Sequence, residues 1–176
     1  MTVASMFRRM AGAARLDAAT YEEVEADKSA TGQAIVIAIV SSLAITVGDW
    51  HPGDTDVVFR LLGALLGWIT WLFFIWFVGV KLVPEPETQS DLGELIRTTG
   101  FGLTPGLFRI LGLLPLVGWL LVIAAWLWTL AASVVAVRQA LDYRSLGRAV
   151  FVCVIGFATQ ILLIRLVIHF VVDATT

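Results

Sequence analysis

The sequence is poor in the residues that usually do chemistry: one cysteine, Cys153, and two histidines among 176 residues. A lone cysteine excludes an intrachain disulfide and any Cys-based metal site. His169 and Asp173 stand four apart and share a helix face, but one imidazole and one carboxylate fall short of a zinc set. The reading is an interfacial pair, with no metal and no cofactor. Charge is scarce as well: 15% of residues carry it and the net is −2, so no basic field exists to hold a polyanion and nucleic acid is not an expected partner. No Gly-Lys-Ser/Thr loop is present, which removes the usual phosphate cradle of a nucleotide site.

Apolar residues make up 59% of the chain, well above the ~45–50% of soluble domains, and a globule of this size has no room to bury the excess. The excess falls into runs of ~17 to 27 residues, matching the ~20 that a helix needs to cross a bilayer. The expected fold is therefore all-α: an integral membrane bundle of five transmembrane helices behind a short amphipathic amino-terminal region. The spans are about 32–48, 57–83, 92–114, 117–141 and 146–172, and the domains divide at about 1–30 and 31–176. Pro84-Glu85-Pro86-Glu87 ends the second span, because such a stretch neither continues a helix nor enters lipid. Ser90 and Asp91 offer a helix start for the third.

The first 30 residues read as two amphipathic pieces. Val3, Met6, Phe7, Met10 and Ala14 fall at helical spacing beside Arg8, Arg9 and Arg15, a pattern that suits a helix lying in the membrane interface. Thr20 and Glu23 have the spacing of a capping box for a second short helix. No apolar run follows Arg8 and Arg9 before Lys28, so the amino terminus reads as retained rather than as a signal peptide.

Basic residues accumulate in cytoplasmic loops. With the amino terminus inside and five crossings, nine of the 12 Lys and Arg residues fall on the inner side, and the carboxyl terminus lies outside. A third segment that failed to cross would send Arg138, Arg144 and Arg148 outside. The expected location is the bacterial cytoplasmic (inner) membrane.

The remaining three, Arg60, Arg109 and Arg165, approach the outer third of the bilayer near Asp49, Asp54 and Asp56. Arginine is costly in hydrocarbon unless paired, hydrated or snorkelling. Snorkelling or structural Arg–Asp pairing is the leading expectation, and a site for lipid phosphate or another anion the alternative. A second group, Gly100, Gly102, Thr104, Pro105 and Gly106, kinks the third span. Gly63 and Gly67, like Gly102 and Gly106, have the spacing of small-residue helix packing. Trp68, Trp71, Trp76, Trp126 and Trp128 read as packing residues, with Trp50 and Trp119 as interfacial anchors. Ser133, Thr129 and Ser145 have no histidine on their own side to serve as base, so no serine-hydrolase mechanism is expected.

From Asp91 onward the run DLGELIRTTGFGLTPGLFRILGLLP, then VGWLLVIAAWLWTLAASVVAVRQALDY and RAVFVCVIGF, resembles the Yip (Ypt-interacting protein) domain family, particularly its bacterial members. The lead into the first span, DKSATGQAIVIAIV, is similar too. The resemblance implies a five-helix membrane domain with a cytoplasmic amino-terminal region. Eukaryotic relatives are linked to Rab GTPases and vesicle trafficking; this sequence lacks their tyrosine-rich and Leu-Tyr-Gly-Pro-like features, so Rab binding is not carried over. The expected function is non-enzymatic: a scaffold or assembly and trafficking factor working with membrane lipids, a membrane-protein partner or a homo-oligomer. The alternative is a small transporter, channel or lipid-handling protein that uses the arginine cluster.

Overall fold

In hydrocarbon every backbone amide and carbonyl must be satisfied within the chain, so apolar runs of this length fold as helices. The computed structural model describes residues 2–49, 56–88 and 90–173, leaving aside the side chains of 164 and 167–173. Among the described residues all regular structure is helical. The helices are α1 Val3–Ala14, α2 Ala18–Ala26, α3 Thr31–Gly48, α4 Val57–Trp76, α5 Leu92–Gly102, α6 Gly118–Ala140 and α7 Leu146–Asp173. Four stretches are long and apolar enough to cross a membrane: Lys28–Gly48, Val57–Leu82, Gly118–Ala140 and Leu146–Leu163, with mean hydropathy of 1.9 to 2.3.

The expected third span is not a continuous helix. α5 stops at Gly102 and a 3-10 helix, Thr104–Leu113, completes the segment. Proline is the cause: Pro105 has no N–H to give the carbonyl of Phe101, four residues back. The hydroxyl of Thr104 donates to that carbonyl instead, at 2.6 Å. The carbonyl of Leu103 accepts from the Gly106 amide at 2.9 Å and from the Ser41 hydroxyl of α3 at 3.0 Å.

This broken segment follows α3 along most of its length. A methyl on Gly100 would stand 2.8 Å from the Cβ of Ala34, and one on Gly106 would stand 3.7 Å from Ile45. At the far end, a methyl on Gly48 would overlap the carbonyl of Arg109, and one on Gly112 would overlap that of Gly48. We call the end holding α1 and α2 basal, and the end holding Gly48, Gly112 and the start of α6 distal.

At the other break, α4 closes in a π-helical turn, Phe77–Leu82. The buried Tyr143, beyond α6, donates its hydroxyl to the carbonyls of Gly79 and Val83, at 3.0 and 2.8 Å, and so clasps the widened turn. Burial raises the Tyr143 phenol to about 12; Arg148 opposes the shift and Glu85 adds to it.

Two apolar cores hold the bundle. One joins Trp71, Leu72 and Ile75 of α4 to Leu95, Val137 and Val152; the other joins Ala13, Tyr21 and Val24 to Ala34, Phe101 and Ala136. The outer faces are apolar as well, with Phe59, Leu66 and Leu162 more than half exposed, as a bundle bathed in lipid tails requires.

α1 and α2 form a hairpin that reverses at Leu16, whose φ is 63°. Met6 and Met10, expected to face lipid, pack into the second core beside Ala13, which leaves Val3 and Phe7 exposed. The expected capping box at Thr20 and Glu23 does not form: α2 starts at Ala18, Thr20 donates to Asp17, and Glu23 pairs with Arg8 and Arg9. In α5 the N-cap is Asp91, closed by a reciprocal box with Glu94.

Candidate functional site

Side chains that carry polar chemistry gather in three places. At the basal end, Arg9 is 8% exposed yet fully engaged. It donates to Glu23 at 3.0 Å, to Asp27 at 2.7 Å and to Gln33 of α3 at 3.2 Å, so a buried cation is surrounded by acceptors as burial requires. Burial works against the charged guanidinium, and the Asp27 and Glu23 carboxylates overcome it and hold its pKa above the usual arginine value. Glu23 shows the same contest, with hydrogen bonds from Arg9 and Arg8 outweighing burial and holding it below the usual carboxylate range.

Arg97 of α5 donates to the Glu25 carbonyl at 2.8 Å, and Gln139 of α6 to the Glu22 carboxylate at 3.0 Å, which fastens the hairpin to the bundle. Across the end, Arg144 pairs with Glu87, and Arg148 with Glu85. Between these ties opens a groove of about 550 Å³, walled by Glu22 and Glu25 of α2, by Glu87, by Arg138 of α6, and by Asp142 and Arg144 after it. Burial raises the Glu25 carboxyl to about 7, helped by repulsion from Asp142 and Glu94 and opposed by Arg97.

The second place is the distal tip of α3. Asp49 caps that helix, and Arg109 forms an ion pair with its carboxylate. Arg60 donates to the Asp49 backbone carbonyl at 3.1 Å. Two guanidinium groups thus meet a helix C-terminus, where the exposed carbonyls favour positive charge. Arg165 is exposed on α7. Of the three expected arginines, two are brought together on Asp49. Asp54, Trp50 and the histidine at 51 lie outside the described residues, as do the side chains of His169 and Asp173.

The third place is an open recess between the helices. A cavity of about 280 Å³ touches all the long segments: Ile45 of α3, Gly63, Gly67 and Trp71 of α4, Leu103 and Arg109 of the broken segment, Thr129 and Ser133 of α6, and Phe157 and Gln160 of α7. Gly63 has nothing within 4 Å of where a Cβ would stand, so its spacing with Gly67 opens a space instead of bringing two helices together there. Gly67 does meet a neighbour: the amide of Gln160 donates to its carbonyl at 2.9 Å. Gly100 and Gly102 lie in close contact with Ala34 and Ala136. Trp71 stacks on Phe157 at 5.0 Å between ring centroids.

Most polar groups in the cavity wall have partners. Thr129 donates to the Ala125 carbonyl and Trp68 to the Thr99 hydroxyl. Two buried donors, Trp71 Nε1 and Arg109 Nε, have no hydrogen-bond partner among the described residues. Sequence reasoning placed Arg109 among its candidates. It read Trp71 as a packing residue, as its stack on Phe157 shows, and missed Gln160, the one amide in the last apolar run.

Neither a curated protein nor a solved structure matches the chain. The Yip1 domain family matches it over residues 16–167, from the turn after α1 to the last turns of α7. With that match across most of its length, and four helices able to cross a bilayer, the chain is an integral membrane protein belonging to the Yip1 domain family.

Proposed function

We propose that this protein is a non-enzymatic membrane scaffold or assembly factor that crosses the bilayer five times and holds its basal end in the cytoplasm, where it docks a partner carrying a basic segment. The observation that carries the reading is the basal groove. It is built on elements tied together by Arg9, Arg97 and Gln139, so its walls are pre-formed, and four carboxylates, those of Glu22, Glu25, Glu87 and Asp142, line it against two guanidinium groups. A rigid, polar recess with an excess of one charge selects partners of the other at little ordering cost.

Two features support the fifth crossing and the orientation. The α5 and 3-10 pieces span about 36 Å together, at ~1.5 and ~2.0 Å per residue, which exceeds the ~30 Å hydrocarbon core. Arg8, Arg9, Lys28, Arg97, Arg138 and Arg144 also belong to elements that meet at the basal end, as positive charge does on the cytoplasmic side.

The test is purification in mild detergent of the wild type and of an E22K/D142K variant. The expected result is a co-purifying partner whose yield falls about tenfold in the variant, a loss of ~1.4 kcal/mol in binding, while the melting temperature stays unchanged. A wild type that repeatedly returns as a lone monomer rejects the scaffold, and a homo-oligomer untouched by the variant moves the contact away from the groove.

A further inference from the structure

We propose, resting on the docking role given to the basal groove, that docking there is governed by pH through Glu25. The partner's basic side chain settles between the carboxylates of Glu25 and Asp142, and the ionised form of Glu25 receives it. Most carboxylates at this end are already engaged by the chain itself. Glu23 and Asp27 are taken by Arg9, Glu87 by Arg144 and Glu85 by Arg148; Glu22 accepts from Gln139, and Glu94 from the Asp91 amide in the cap of α5. Glu25 and Asp142 differ. Both line the groove, and neither carboxylate has a hydrogen bond or an ion pair among the described residues.

Charge around Glu25 is lopsided. Facing it are Glu22 of its own helix, Glu94 and Arg97 of α5, Arg138 of α6, and Asp142 and Arg144 beyond that helix. From α1, Arg8 and Arg9 are turned to Glu23 and Asp27, and Lys28 of the next 3-10 turn is exposed. Arg97 gives its Nε–H to the backbone carbonyl of Glu25, and Arg138 donates to the carbonyls of Tyr143 and Arg144, so neither guanidinium bonds the Glu25 carboxylate. The four carboxylates of the groove exceed its two guanidinium groups by two charges, and Glu25 carries one of them. Burial pushes the Glu25 carboxyl up to about 7, with repulsion from Asp142 and Glu94 adding to it and Arg97 opposing. A cation seated between Glu25 and Asp142 reverses that balance, because an opposite charge within ~4–6 Å favours the ionised carboxylate. Seating it releases the proton, so affinity rises with pH up to about 7 and then levels. A lysine or arginine side chain fits, being a cation with donors and no acceptor to set against two carboxylates.

The test uses the full chain in mild detergent, with pentalysine blocked at both ends as the probe and pentaserine as its control. Calorimetric titration at low ionic strength is run at pH 6 and pH 8, and at pH 6 in two buffers of different ionisation heat, which counts the protons released. Wild type is expected to bind pentalysine about tenfold more tightly at pH 8 than at pH 6, and to release close to one proton per peptide at pH 6. Glu25→Gln is expected to bind alike at both values, at the wild-type pH 6 level, and to release none. Asp142→Asn keeps a residue type that tolerates the positive φ of 51° at this exposed position, and is expected to weaken binding at pH 8 and to narrow the difference between the two values. Equal wild-type affinity at the two values, a pH dependence that persists in Glu25→Gln, no binding of pentalysine, or equal binding of pentaserine overturns the proposal. The expected pentalysine result from a chain that returns from its membrane without a partner keeps the subsite and rejects the scaffold. A partner lost in E22K/D142K but held equally at pH 6 and pH 8 keeps the scaffold and rejects the subsite.

Discussion

Glu25 shows how little of a residue's behaviour resides in its own side chain. Its carboxyl, raised to about 7 by burial and by Asp142 and Glu94, sits on the same short helix as Glu23, which Arg9 and Arg8 hold down. The sign of the pH effect follows by linkage. Below about 4.5 the Glu25 carboxyl is neutral in folded and unfolded chains alike, and it contributes nothing unfavourable. As pH rises from about 4.5 to about 7 the folded chain keeps the proton that the unfolded chain has released, so stability falls, and above about 7 the whole penalty is present. Glu23 acts in the opposite direction and in a more acidic window, losing its stabilising charge as pH drops through its lowered value. Glu25→Gln is therefore expected to melt higher than wild type at pH 8 and close to it at pH 4.5. Melting curves at the two values check this, and a variant that gains equally at both refutes the assignment.

At the scale of elements, the segment around Pro105 rests on a hydroxyl that does the work of a missing amide. Thr104→Val is expected to orphan the Phe101 carbonyl and to destabilise the protein by about 1–3 kcal/mol. Thr104→Val combined with Pro105→Ala is expected to recover part of that loss, because alanine restores an N–H; a double-mutant cycle of melting temperatures measures the coupling, and strict additivity sinks the account. The limits of the apolar runs were legible in the sequence, since run length, Asp91, and Pro84 to Glu87 are all local features, whereas α2 starts at Ala18 and not after Thr20. The break at Pro105 was legible as a kink, and its continuation as a 3-10 helix was not, because the segment there meets a different element, with Ser41 of α3 donating to the Leu103 carbonyl. The hairpin was misread for the same reason. Thr20 and Glu23 have capping spacing, but Arg9 offers Glu23 a stronger partner than a backbone amide does. Gly63 illustrates the limit: four-residue glycine spacing describes a close contact and a gap equally well, and only the neighbours distinguish them.

For the whole molecule the number of crossings fixes which compartment each terminus meets. Five crossings put residues 2 and 176 on opposite faces, and four put them on one. The native Cys153 is buried, so single cysteines at Thr2 or Thr176 give clean reporters. A membrane-impermeant thiol reagent applied outside intact cells is expected to label Thr176→Cys and to spare Thr2→Cys; equal labelling removes the fifth crossing.

The 3-10 stretch has one more consequence, for how the chain tolerates insertion and deletion. With three residues to the turn, Leu103, Gly106, Arg109 and Gly112 fall in a single row, and each of the four meets α3. A change of length by three slides that row along its neighbour with the same side still inward, whereas a change by one or two swings it a third of a revolution and carries the guanidinium of position 109 away from its carboxylate. Length variants of this stretch in multiples of three are the ones the packing admits.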